Sequence, residues 1–168
     1  RPWTMQTITA PLAYHITFTT YGTRLHGDDR GTVDRHTSDY GTPRITPHIG
    51  RNQRATQTLK SAPVSLDQPR REAVRAAIAE TATYRGWFVH ALNVRTNHVH
   101  SVVDAPVAPE KVVNALKANA TRVMRERGVW REDSSPWTKG ASTRYLWDEF
   151  AVDCAVDYVL NGQGADLP

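Results

Sequence analysis

Cysteine is nearly absent from this chain: Cys154 is the single one in 168 residues. An internal disulfide framework is thereby excluded, and a reducing compartment fits. Long hydrophobic runs are missing too, since no apolar stretch approaches the roughly 20 residues that cross a bilayer. The opening residues Arg1-Pro2-Trp3-Thr4-Met5-Gln6 have no apolar centre of the signal-peptide kind. These absences lead to the expectation of a cytoplasmic protein that makes no membrane contact. Acidic residues are scarce in one place only: between Tyr40 and Leu66 there is none, while Arg44, Arg51, Arg54 and Lys60 bring four positive charges.

What is present sharpens this. The net charge is +4 and the excess is N-terminal, with nine Lys/Arg against five Asp/Glu in residues 1–70 and twelve against twelve in 71–168. Such a balance is compatible with a polyanionic partner. The acid-free segment can either track a phosphate backbone or be a solvated loop.

The sequence predicts one domain over residues 1–168, with no repeat. Tyr14 to Tyr21, β-branched and aromatic, reads as a first strand. From about residue 22 to 68 follows a Gly-, Pro-, Thr- and Asp-rich loop or insertion, a length that in a compact domain is often functional. Asp67 then caps a helix with Pro69 in its first turn, running through Val74, Ala77, Ile78 and Thr81 to Tyr84 and stopped by Gly86. Trp87–Val94 and His98–Asp104 form a hairpin of strands. Val112, Val113, Leu116, Ala120, Val123 and Met124 mark one face of a second helix ending near Gly128. Thr143–Trp147 is a short fourth strand, and Asp148 caps a last helix that closes at Gly162. Strand, helix, hairpin, helix, strand, helix favours an α+β ferredoxin-like fold: an antiparallel sheet with helices on one face and a C-terminal helix beyond the fourth strand.

Asn97-His98-Val99-His100 carries the chemistry. Side chains alternate along a strand, so His98 and His100 project from one face and can hold a single ion, or each can simply hydrogen-bond a neighbour. A binuclear hydrolase pattern would need an acid at Val102 and a histidine at Val103; a histidine-triad hydrolase would need a histidine at Val102. A metal on two imidazoles keeps open positions for a phosphate oxygen and water, and calls for a further amide or carboxylate ligand. No serine has a base arrangement, and Cys154 lies on an apolar helix stripe expected to be core. Tyrosine remains as nucleophile. Tyr158 sits late in the last helix and is followed by Asn161 and Gln163; its alternative role is a core-edge ring packed on Phe150 and Cys154.

Together these motifs resemble the HUH single-tyrosine transposases, most closely the REP-associated tyrosine transposases and insertion-sequence transposases of the same superfamily. Asn97-His98-Val99-His100 resembles their Pro-Asn-His-Val-His signature, with Thr96 in the proline's place. Tyr14-His15-Ile16-Thr17 is similar to their first strand, Trp147 to their Trp-containing fourth strand, and Asp157-Tyr158-Val159 to their tyrosine helix. The resemblance implies the HUH form of the ferredoxin-like fold and a divalent ion, Mg²⁺ or Mn²⁺, on His98 and His100. It also implies attack by Tyr158 on single-stranded, hairpin-forming DNA through a 5′-phosphotyrosine. A family amide four residues after the tyrosine completes the metal site, but Gly162 stands there, so Gln163 is the first candidate and Asn161 the next. Arg24, Arg44, Lys117 and Arg122 are the expected DNA contacts. The chain would act as a monomer or homodimer. The rival expectation is a domesticated hairpin-binding protein that moves no DNA.

Overall fold

The computed structural model describes residues 10–23 and 61–164. Four strands, β1 (Ala13–Thr19), β2 (Phe88–Val94), β3 (His98–Asp104) and β4 (Ser142–Leu146), form one antiparallel sheet in the order β2-β3-β1-β4. Among the described residues three helices pack on it: α1 (Gln68–Arg85), α2 (Pro109–Glu126) and α3 (Glu149–Asn161). The element order matches the sequence expectation, with ends shifted by one or two residues. Caps explain the boundaries. Asp67 accepts a bond from the Arg70 amide and Asp148 from that of Ala151, while Gly86, at φ 68°, takes the left-handed turn that ends α1.

Alternation divides the sheet into two unlike faces. On one, Tyr14, Ile16 and Phe18 of β1 and Val99 and Val103 of β3 meet Val74, Ala77 and Ile78 of α1 and Val112, Leu116 and Met124 of α2. This is the main core. On the other face Ala13, Ala91, Val102 and Leu146 meet Val152, Ala155 and Val159 of α3. Thus, among the described residues, α1 and α2 cover one side and α3 lies alone on the opposite side, the one to which His98 and His100 project.

One side-chain expectation is overturned. Cys154 is exposed, not core, because the apolar seam of α3 runs through Val152, Ala155 and Val159. Phe150 is exposed as well, so neither residue packs Tyr158 into a core edge. No helix among the described residues is long and apolar enough to cross a membrane. The returning end of the long 22–68 stretch is pinned to the sheet, with the Val64 amide donating to Tyr21 O and the Leu66 amide to Thr96 O.

Candidate active site

β3 is an interior strand, and its register against β1 sets the site. Thr17 lies opposite His100 and His15 opposite Val102, so His15, Thr17, His98 and His100 share one face. The two imidazoles of the pair are 4.7 Å apart, nearly perpendicular. Each is oriented through Nδ1: His98 Nδ1 donates to Asn97 Oδ1 at 2.5 Å, and His100 Nδ1 is bonded to Thr17 Oγ1 at 2.9 Å. Partners on Nδ1 fix ring and tautomer so that Nε2 becomes the nitrogen for a metal.

α3 brings the tyrosine. Val159 is fully buried against Val102 and Ala91, which turns the preceding Tyr158 along the sheet face; its ring lies 5.8 Å from that of His100 and 5.7 Å from that of His15. Asn93 of β2 anchors this turn by donating from Nδ2 to Val159 O at 3.0 Å. The helix then ends at Gly162, whose amide donates to Tyr158 O. A Cβ at Gly162 would stand 2.7 Å from Tyr158 O and 2.9 Å from the tyrosine ring, so only glycine lets the chain turn this tightly. The turn delivers Gln163, whose Oε1 lies 3.5 Å from His98 Nε2.

Among the two amides considered from sequence, the structure brings only Gln163 to the pair. Asn161 donates instead to Asp157 Oδ1 on the exposed side of α3. No group of three or more His, Cys, Asp or Glu residues able to hold a metal occurs among the described residues. Two imidazole nitrogens with an amide oxygen are nevertheless a donor set that a divalent ion accepts, with coordination positions left over. His98, His100 and Gln163 are the residues that can hold one.

The site also contains residues to which the sequence motifs gave no site role. His15 is buried, and desolvation, helped by the Arg144 guanidinium across the β1–β4 register, holds the pKa of its imidazole below the usual range. Thr17, Asn93 and Asn97 orient the groups just described. The signal for His15 and Thr17 was their spacing in β1, which places them on one face; only the pairing with β3 shows which face.

The four expected DNA contacts fall elsewhere. Arg24 and Arg44 lie outside the described residues. Lys117 directs its half-buried ammonium to Thr138 O at 2.8 Å and to Gly140 O, with the Phe18 ring beside it, and so braces the segment leading to β4. Burial holds its pKa below the usual lysine range. Arg122, on α2 across the sheet from the histidines, pairs with Glu80 and Glu126, each at 2.9 Å.

Fold and site together define an α+β domain that presents the His98–His100 pair and Tyr158 on a single sheet face. Residues 59–146, just over half of the chain, match the family described as IS200-like transposase, and the chain belongs to that family. The matched segment holds the histidine pair but ends before Tyr158. A transposase-type, DNA-processing role follows as the class of function. A candidate transposase from Deinococcus radiodurans R1 is similar in fold, with a TM-score of 0.50, 16% identity, and 92% of this chain and 93% of that one covered. A REP-associated tyrosine transposase bound to a REP hairpin aligns at a TM-score of 0.48 and 12% identity, over 95% of this chain and 70% of that one. No curated protein sequence matches significantly.

Proposed function

We propose that this protein nicks and rejoins single-stranded, hairpin-forming DNA by a metal-dependent reaction in which Tyr158 is the nucleophile. The observation that carries this is the convergence of Tyr158 with His98, His100 and Gln163 on one sheet face, from elements distant in sequence. In the reaction the Tyr158 oxygen attacks phosphorus as the bond from phosphorus to the 3′ oxygen breaks. The phenol gives up its proton, the departing 3′ oxygen gains one, and the 5′ phosphate stays on the tyrosine. Attack by a 3′-hydroxyl on that phosphotyrosine reverses the bonds and rejoins a strand. Covalent storage of the phosphodiester makes rejoining independent of an external energy source.

When bound at His98, His100 and Gln163, Mg²⁺ or Mn²⁺ supplies neutralisation of the charge that builds on the scissile phosphate. The protein's share is placement. Asn97 and Thr17 hold the imidazoles, Asn93 holds the helix turn that bears Tyr158, and the exposed half of the tyrosine ring leaves its oxygen accessible to a strand. The motif resemblance to REP-associated transposases supports hairpin-forming strands as the substrate class.

The test incubates the protein with end-labelled hairpin-bearing oligonucleotides and Mn²⁺ and resolves covalent adducts on denaturing gels. Wild type is expected to form an adduct and Tyr158→Phe none. An adduct that survives in Tyr158→Phe removes Tyr158 as nucleophile, and tight hairpin binding by wild type without cutting favours a domesticated binding protein.

A further inference from the structure

β1 contributes one side chain that the chemistry above leaves unused. His15 is 7% exposed, and its Nε2 is sealed from solvent with no hydrogen-bond partner among the described residues. Buried imidazole nitrogens without a partner are rare, and each calls for an explanation. Four groups face this ring from the elements packed on it: His100 and Val102 of β3, Arg144 of β4 and Tyr158 of α3. Val102 offers no polar side-chain atom, and His100 directs Nδ1 to Thr17. Arg144 can donate, but its side chain is exposed, whereas Nε2 of His15 is sealed from solvent.

Tyr158 is different. Its ring meets that of His15 edge to face, with centroids 5.7 Å apart and planes at 65°, and its hydroxyl makes no hydrogen bond among the described residues. A sealed nitrogen is closed to a DNA phosphate, which would have to displace the rings above it. A neighbouring phenol reaches the same atom by turning about its own side-chain bonds. The buried Nε2 lacks a donor, and the Tyr158 hydroxyl is a donor on the ring packed beside it.

We propose that Nε2 of His15 accepts a hydrogen bond from the Tyr158 hydroxyl, and that this bond holds the phenol oxygen over the sheet face beside His100. The inference rests on Tyr158 being the nucleophile and deepens that assignment: His15 is the residue that positions it. Tyr158 is half exposed, so an untethered phenol would sample many orientations. Fixing the attacking atom before the strand arrives recovers part of the orientation advantage on which such reactions depend.

Two measurements test this, one of them independent of activity. In ¹⁵N NMR of the free, intact protein, Tyr158→Phe keeps the ring and deletes only the hydroxyl. The His15 Nε2 resonance is expected to move downfield, as an acceptor nitrogen does on losing its donor; an unchanged resonance overturns the proposal, whatever the protein does to DNA. In the adduct assay, His15→Phe, which keeps an aromatic ring, is expected to slow adduct formation by about tenfold or more without weakening oligonucleotide binding. His15→Gln, whose amide oxygen can accept the same bond, should recover most of the rate. If His15→Phe reacts at the wild-type rate, the histidine is mere packing and the proposal falls. If wild type forms no adduct but the NMR shift appears, the hydrogen bond stands and the nicking function is what has failed.

Discussion

His98 and His100 owe their orientation to two oxygens that come from different places in the chain. Asn97 is the preceding residue, whereas Thr17 is 83 positions away from His100 and arrives only through the β1–β3 register. If Thr17 sets the ring that takes the metal, Thr17→Val, nearly the same in shape but without the hydroxyl, should weaken Mn²⁺ binding about 10- to 100-fold. Titration calorimetry reads this directly, and an unchanged affinity would show that the bond is incidental. Gly162 acts at the same scale by a different means. It supplies no chemistry, yet the absence of a Cβ lets the chain fold back on Tyr158 and carry Gln163 to His98.

Among the elements, α3 is the most lightly held. Its seam is three buried residues, Val152, Ala155 and Val159, while α1 and α2 pack on each other as well as on the sheet. The Asn93 amide is the side-chain hydrogen bond that ties its last turn to β2. Removing it with Asn93→Ala is expected to cost α3 about 1 kcal/mol, so its amides should exchange with solvent roughly fivefold faster. The amides of α2 should not change. Uniform acceleration across both helices would mean that α3 opens only with the whole molecule. A helix held this way suits the nucleophile role proposed for Tyr158, since elements that move in function are drawn from the less stable part of a fold.

At the scale of the whole molecule, the sheet separates stability from chemistry. The face under α1 and α2 carries Phe18, Ile16, Ile78, Leu116 and Met124, all essentially without exposure, and the opposite face carries the histidines and a thinner apolar seam. Leu116→Ala, which empties the centre of the first face, should lower global stability by about 2–5 kcal/mol in denaturant titrations. Its distance from the histidines across the sheet means that Mn²⁺ affinity under native conditions should stay as in wild type. A parallel loss of metal binding would argue that the two faces are not separate. Lys117 and Arg122 belong to the stabilising side: one braces the approach to β4 through backbone carbonyls, the other links α1 to α2 through Glu80.

The amino-acid sequence by itself determined the elements and their order, because caps, turns and periodicity are local. Asp67, Gly86 and Asp148 act within one turn of themselves, and alternation in Asn97-His98-Val99-His100 fixes which residues share a face whatever lies beyond. Tyr158 was legible as a late-helix tyrosine followed by two amides. The tertiary structure decided the rest. The strand order β2-β3-β1-β4 put His15 and Thr17 beside His100, docking of α3 on the second face set Tyr158 against them, and the turn at Gly162 chose Gln163 over Asn161. It also exposed Cys154 where the helix stripe had suggested burial. Those outcomes depend on cross-strand register and on which side of a sheet a helix finds its apolar partner. Both are set by contacts between residues far apart in the chain, which no local pattern records.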